Sequence, residues 1–237
     1  MSEGQPREEQ AAFRPAARAH TSVLARVEKK ALIWIAERLP RWVNSDHLTL
    51  LGFVAMACAG LSYWWARYDR RGLLLVIFWL AVNWFGDSLD GTLARVRKQQ
   101  RPRYGFYVDH LVDTFCALFL LGGLALSGYM TPLAATGLLI AYYVLAIEVY
   151  LATYALGTFH MSFAGVGPTE LRILLALGNV WLYAQGTVPV VQVFKQDYLL
   201  FDVGGAVAMA GMMCFAVLSA VRHTRVLYLA EPIPRNN

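Results

Sequence analysis

The chain has 237 residues, of which 57% are hydrophobic and 16% are charged, and its formal net charge is +5 at pH 7. Its mean hydropathy is +0.43. This composition is too apolar for an ordinary soluble domain and predicts an integral membrane protein. The three cysteines are scattered singly through apolar segments, which excludes a disulfide framework.

The N-terminal part of the chain is first polar and then amphipathic. Residues 1–20 form a polar tail that lacks the apolar core of a signal peptide. Residues 21–40 carry apolar side chains at helical spacing with basic residues largely opposite, so we predict an amphipathic helix that lies along the membrane surface. A short helix that packs on a membrane bundle would explain the same pattern. Asn44, in the turn that follows, can act as the N-cap of the next helix.

Residues 44–230 contain apolar segments long enough to cross a bilayer, which takes about 20 residues each. We predict six transmembrane helices, at His47–Trp65, Gly72–Asp87, Gly105–Gly128, Pro132–Leu156, Glu170–Ala184 and Val203–Val221. The second helix reaches full length when it is continued to Arg95. The predicted fold is therefore one all-α integral membrane domain, residues 44–230, with six transmembrane helices and an N-terminal interfacial helix.

Basic residues are distributed unevenly between the two sides of this predicted bundle. With six spans both termini share one side, and that side collects most of the arginines and lysines. The opposite side keeps only Arg67, Arg70, Arg71 and Lys195. By the positive-inside rule the crowded side is cytoplasmic, so both termini are predicted to be cytoplasmic.

Four aspartates mark the cytoplasmic ends of the second and third predicted helices. Asp87 and Asp90 are three residues apart on the second helix. Asp109 and Asp113 are four residues apart on the third. Each pair projects from one face of its helix, and packing of the two helices can bring the pairs together. Unpaired carboxylates that close would repel one another, so the pattern predicts hard divalent cations among them.

The surface beside the first aspartate pair suits a ligand that carries phosphate. Gly91 and Ala94 share the helix face of that pair and leave the backbone accessible. Arg95 adds a planar cation that can grip a phosphate group.

The two strings that contain these residues resemble a family signature. D-x-x-D-G-x-x-A-R runs from Asp87 to Arg95, and G-x-x-x-D-x-x-x-D runs from Gly105 to Asp113. Together they are similar to the signature of the CDP-alcohol phosphotransferases, also called CDP-alcohol phosphatidyltransferases, whose members make phospholipids in membranes. The segment between the strings is one residue longer than in the family pattern. We expect this extra residue to change the shape of the loop more than the metal site.

The resemblance implies a metal-dependent transferase. It implies that a substituted phosphate passes from a CDP-linked donor to the hydroxyl of a lipid or alcohol acceptor, and that CMP is released. Two Mg²⁺ or Mn²⁺ ions would be held by the four aspartates Asp87, Asp90, Asp109 and Asp113. Asp113 would also be the catalytic base. The nucleotide would be lined by Gly91, Ala94, Arg95 and Gly105.

The resemblance also has implications for the partners and the location of the enzyme. It implies a homodimer that contacts membrane lipids, and we expect no nucleic-acid partner. In the family, a turn like that at Asn44 and Asp46 lies beside the nucleotide, although capping alone explains these residues. Because family members of similar length are common in bacteria, we expect a bacterial inner membrane.

Two further strings resemble choline and ethanolamine phosphotransferases. Ile147-Glu148-Val149-Tyr150 is similar to their W-E-x-[YF] string, and Gly167-Pro168-Thr169-Glu170 is similar to G-P-[TV]-E. Arg172 follows shortly after the second string. A glutamate within an apolar span is costly, so Glu148, Glu170 and Arg172 are a candidate acceptor site. Glu148 could hold the acceptor hydroxyl, pair with Arg172, or be a buried glutamate paired for structural reasons.

The chemistry of the acceptor distinguishes two classes of substrate. Residues 155–170 contain no Lys or Arg, and an acceptor with its own phosphate would need several. We therefore favour CDP-choline or CDP-ethanolamine as donor and a diradylglycerol as acceptor. The alternative is a CDP-diacylglycerol-dependent phosphatidyltransferase that acts on a polar alcohol or alcohol phosphate, with Arg172 and residues 97–103 gripping the acceptor.

Functions from other classes are less compatible with the pattern. A cation or proton transporter would also carry intramembrane aspartates, but it would place them near the bilayer midplane rather than at the cytoplasmic end. A lipid phosphatase would need a histidine nucleophile with an arginine-rich phosphate site, and no such constellation is evident in the sequence.

Overall fold

The computed structural model of the chain describes residues 23–156, 168–186, 188, 190–193, 195–231 and 233. The predicted polar tail, residues 1–20, lies outside the described residues. The described elements are α1 Val23–Arg38, α2 Ser45–Ala66, α3 Arg71–Val96, α4 Pro102–Ser127, α5 Pro132–Leu156, α6 Pro168–Gln185, β1 Val190–Val193, β2 Gln196–Leu199 and α7 Leu200–Ala230.

Within the described residues, five helices are long and apolar enough to cross a membrane: α2, α3, α4, α5 and α7. They coincide with five of the predicted spans, and the predicted helical membrane protein is confirmed at that level. The remaining predicted span, Glu170–Ala184, coincides with α6, an 18-residue helix that is not among those five. The predicted number of six spans is therefore not confirmed.

Helix α2 is the centre of the N-terminal half of the bundle, and both α3 and α4 pack against it. The contacts are close enough to require glycine. A Cβ atom on Gly123 of α4 would lie 2.1 Å from the carbonyl oxygen of Gly60 in α2. A Cβ atom on Gly86 of α3 would lie 2.6 Å from the carbonyl oxygen of Leu48. The Gly86 contact brings the aspartate-bearing part of α3 against the start of α2, and the Gly123 contact packs the C-terminal half of α4 on the same helix.

The turn before α2 has the predicted N-cap. Asn44 Oδ1 accepts a hydrogen bond from the backbone N–H of His47 at 3.0 Å, and Asn44 N–H donates to His47 Nδ1 at 3.3 Å. Both halves of a capping box are therefore present, with histidine in the place usually taken by glutamate or glutamine. The capped helix end fixes the direction in which α2 enters the bundle.

Helix α1 packs on the bundle through one face. Leu32 and Ala36 are buried in a small core that includes Leu89 and Leu93 of α3. Trp34 is 57% exposed, and the Arg38 guanidinium lies 4.1 Å from the centre of its ring. The predicted helix is present, and its placement along a membrane surface remains a prediction.

A two-stranded antiparallel hairpin connects α6 to α7, and the sequence analysis did not predict it. Strand β1 pairs with β2 from Val190 opposite Leu199 to Val193 opposite Gln196. Lys195, in the turn, has a left-handed φ of 68°. The valine-rich run around Val190 was a signal for a strand that the transmembrane pattern on either side obscured. Among the described residues this hairpin is the departure from an all-α chain.

Candidate functional site

The first aspartate pair lies on the last third of α3, and each carboxylate has a defined partner. Arg172 Nη2, from α6, donates to Asp87 Oδ2 at 2.7 Å. Thr49 Oγ1, from α2, donates to Asp90 Oδ2 at 2.6 Å. The other Asp90 oxygen accepts from the backbone N–H of Gly91. Three helices thus orient the two carboxylates.

Electrostatic interactions connect the predicted carboxylates of α3 with those of α4. Asp87 and Asp109 both act electrostatically on Asp90. Asp113 and Asp87 both act on Cys116, as does Arg172. The pairs on α3 and α4 therefore lie within electrostatic range of one another, and that they form one site remains a prediction.

The predicted metal ligands are all carboxylate oxygens, which are the ligands that hard divalent cations prefer. In the part of the chain that the structure describes, however, no three His, Cys, Asp or Glu side chains form a group that could hold a metal ion. The contact between Asp87 and Arg172 is one reason, since it directs an oxygen of this carboxylate toward a guanidinium. The predicted metal ligands therefore remain a prediction.

The predicted nucleotide residues border open space. A Cβ atom added to Gly105 would meet nothing within 4 Å, and one added to Gly91 would meet only the Arg95 guanidinium, at 3.6 Å and beyond. Arg95 Nη2 donates to Thr92 Oγ1 at 3.0 Å, which holds the guanidinium along α3. Unlike Gly123, these two glycines are not required by packing.

A cavity of about 430 Å³ opens beside the end of α3. Its lining comes from the turn before α2, the last turns of α3 and the loop before α4: Asn44, Ser45, Asp46, Leu93, Ala94, Gln99, Gln100 and Arg101. The lining combines amide, hydroxyl, carboxylate and guanidinium groups, which can bind a polar heterocycle and a ribose. Of the residues predicted to line the nucleotide, Ala94 is part of it.

Two arginines hold the walls of this cavity. Arg101 donates a hydrogen bond to Asp46 Oδ1 across the cavity, and this bond raises the pKa of the Arg101 guanidinium above its usual value. Arg97 donates to the backbone carbonyls of Leu39, Pro40 and Val43, so it fastens the turn after α1 to the end of α3. The sequence showed these residues only as part of a basic loop.

The three residues of the predicted acceptor site have different partners in the structure. Arg172 pairs with Asp87, as described above. Glu148 Oε1, on α5, lies 2.7 Å from His223 Nδ1 on α7, so the predicted alternative in which Glu148 pairs with Arg172 is not what the structure contains. Glu170 is exposed in the first turn of α6. Gly167, which begins the second string, lies outside the described residues.

His110, which follows Asp109 in sequence, is buried. Its Nδ1 is 2.6 Å from the Phe106 carbonyl oxygen, and its ring packs edge-on against Tyr150 at 4.9 Å between centroids.

Comparison with models of known protein families assigns the chain to a family. The family model for CDP-alcohol phosphatidyltransferases matches residues 42–221. The chain belongs to the CDP-alcohol phosphatidyltransferase family. The match runs from the turn before α2 into α7 and includes all four aspartates. A search of curated proteins gives no match.

Membership of this family establishes the general activity. The CDP-alcohol phosphatidyltransferases are transferases of phosphate-containing groups and generally depend on divalent metals. The chain is therefore an enzyme of phospholipid synthesis in a membrane, with a CDP-linked donor and an alcohol acceptor.

Proposed function

We propose that the protein transfers a substituted phosphate from a CDP-linked donor to an acceptor hydroxyl and releases CMP, using the carboxylates of α3 and α4. The observation that supports this proposal is that carboxylates of α3 and α4 lie within electrostatic range of one another, and that the last turns of α3 line a polar cavity. The reacting pyrophosphate would lie between the carboxylates and the cavity that receives the nucleoside.

We assign the cavity to the cytidine moiety. Asn44 and Asp46 lie on one side, and Gln99 and Arg101 lie on the other. These groups include both donors and acceptors, which the edge of a cytosine and a ribose require. Gly91 and Gly105 leave room for the pyrophosphate to approach the helix backbones, with Arg95 close by.

We assign two Mg²⁺ or Mn²⁺ ions to the four carboxylates, Asp87, Asp90, Asp109 and Asp113. When bound, such ions neutralise the charge of the bridging phosphates. Thr49 keeps Asp90 oriented. The acceptor hydroxyl attacks the phosphorus distal to cytidine, the bond from that phosphorus to the bridging oxygen breaks, and CMP leaves. Asp113 takes the hydroxyl proton as the new bond forms.

For the substrates, we favour transfer of phosphocholine or phosphoethanolamine to a diradylglycerol. Residues 155–170 carry no Lys or Arg, and the nearby Arg172 is engaged with Asp87. A neutral acceptor hydroxyl needs no cationic pocket. The alternative is CDP-diacylglycerol with a polar alcohol or alcohol phosphate, and release of Arg172 would provide a cation for it. Arg97 is less available for that purpose, because it is bonded to backbone carbonyls.

We propose that α6 is the sixth membrane span, with both termini cytoplasmic. The residues that lower its apolarity have partners within the bundle. Asn179 is fully buried and its Nδ2 donates to the Tyr63 hydroxyl at 2.9 Å, while Arg172 pairs with Asp87. Polar side chains that face the bundle interior are compatible with a membrane span. A bacterial inner membrane and a homodimer also remain proposals.

The reaction is tested with purified protein in detergent. EDTA-treated enzyme should release CMP only after Mg²⁺ or Mn²⁺ is restored, and only with a matching acceptor. Each donor is offered with each acceptor, and the lipid product is identified by mass spectrometry. Product from CDP-diacylglycerol alone would refute the favoured substrates, whereas CMP release without a divalent ion would refute the metal assignment.

The topology is tested separately by labelling. Single cysteines at Glu170 and Gln185, in a background without the native cysteines, should react from opposite sides of sealed vesicles. Labelling of both positions from one side would show that α6 does not span the membrane.

A further inference from the structure

An arginine contacts one of the four predicted metal ligands. Arg172 Nη2 is 2.7 Å from Asp87 Oδ2, and the two side chains are 15% and 33% exposed. Asp113 is also part of the surroundings, since Asp113, Asp87 and Arg172 all act electrostatically on Cys116. Because the arginine side chain is largely shielded from water, its charge is weakly screened and acts strongly on the carboxylates.

The helix that carries this arginine is anchored independently of the ion pair. Asn179 lies seven residues after Arg172, which is about two helical turns, so both side chains project from the same face of α6. Asn179 is held by the Tyr63 hydroxyl of α2. The Arg172 side chain can therefore exchange partners without movement of α6.

The charges around Asp87 determine which new partner Arg172 would need if it left this carboxylate. A divalent ion on Asp87 would lie within a few ångströms of the guanidinium, and two cations at that distance in a shielded site repel each other. The guanidinium then needs another anion. A pyrophosphate offers several oxygens to which arginine can donate in a bidentate manner.

We propose that Arg172 is an internal cation that competes with the divalent ion for Asp87 and passes to the donor's pyrophosphate when ion and nucleotide bind together. Arg172 is a positioning residue in this scheme. It weakens binding of the ion alone and makes ion and nucleotide raise each other's affinity, because each one relieves a contact that opposes the other. The inference rests on the metal assignment made under the proposed function.

The test measures binding rather than turnover. Mn²⁺ is titrated into the purified protein with and without saturating CDP, and free Mn²⁺ is followed by electron paramagnetic resonance. In Arg172→Gln, Mn²⁺ alone should bind about ten-fold more tightly than in wild type, and the gain in Mn²⁺ affinity that CDP produces should fall about ten-fold, within the usual range of coupling. Lys30→Gln removes the same charge from an exposed residue of α1, outside the predicted binding residues, and should leave both quantities unchanged.

Two further measurements keep the inference testable if Arg172→Gln is unstable. Mn²⁺ should raise the Tm of Arg172→Gln more than that of wild type, because the ion replaces the lost partner of Asp87. Arg172→Lys keeps the charge but loses the planar fork, so it should retain weak binding of Mn²⁺ alone and show a smaller effect of CDP.

The possible failures are distinguishable. Unchanged coupling between Mn²⁺ and CDP in both Arg172 variants, with normal Mn²⁺ binding, overturns the competition alone and leaves the metal site standing. No Mn²⁺ binding by the wild-type protein overturns the metal assignment and the competition with it.

Discussion

Substitution of Gly91 by alanine separates the function of the site from its packing. Gly91 lies inside α3, where glycine costs about 0.5–1 kcal/mol relative to alanine. The added Cβ would meet only the Arg95 guanidinium, with a nearest atom at 3.6 Å, which is an ordinary contact. Gly91→Ala should therefore stabilise the protein, and the gain corresponds to a rise in Tm of about 1–4 °C.

The same methyl group should weaken binding of the donor. If the pyrophosphate lies against the backbone at Gly91, the methyl occupies space that the ligand needs, and overlap of this kind costs about 1–3 kcal/mol. That cost corresponds to about five- to 150-fold weaker binding. Isothermal titration of CDP in the presence of Mn²⁺ measures this loss, and thermal unfolding without ligand measures the stability.

Gly122→Ala is the matched control. Gly122 lies inside α4, and a Cβ atom there would meet nothing within 4 Å. This variant should show a similar rise in Tm and unchanged CDP affinity. If Gly91→Ala bound CDP as tightly as wild type, or if it lowered the Tm, the placement of the donor beside α3 would be wrong.

Four other substitutions test the site and the packing around it. Asp109→Asn should abolish CMP release and weaken metal-dependent CDP binding, whereas Asp113→Asn should lose turnover but keep appreciable CDP binding; identical behaviour in calorimetry would contradict their separate roles. Gly123→Ala would force a Cβ atom to 2.1 Å from a backbone oxygen of α2, so it should destabilise the protein by about 1–3 kcal/mol or more in thermal unfolding, and an unchanged Tm would show that the helices do not cross so closely. Glu148→Gln removes the charge that faces His223, and because the pair is only partly exposed we expect a loss of about 1–2 kcal/mol with CDP affinity intact. A double variant that also changes His223 to alanine should lose less than the sum of the single losses, and strict additivity would show that the two residues do not interact.

Local features of the sequence determined much of the fold and the position of the site. Apolar length predicted the positions of five helices, because a bilayer sets the length of a spanning helix, although the last helix extends nine residues beyond its predicted end at Val221. Asn44 was identified as an N-cap because capping depends on neighbours three residues away. The aspartates were found because residues three or four apart share a helix face, and their spacing also matches the family signature.

The tertiary structure decided the partners of the charged residues. Asp87 and Arg172 are 85 residues apart in sequence, and Glu148 and His223 are 75 apart. Arg97 reaches carbonyl groups more than 50 residues away. Which charges meet depends on how each helix is rotated and how closely its neighbours approach, and helical periodicity contains neither quantity. The sequence by itself therefore determined a membrane transferase of this family and predicted four aspartates for its site, whereas only the packing of α6 on α3 decided that an arginine contacts one of them, Asp87.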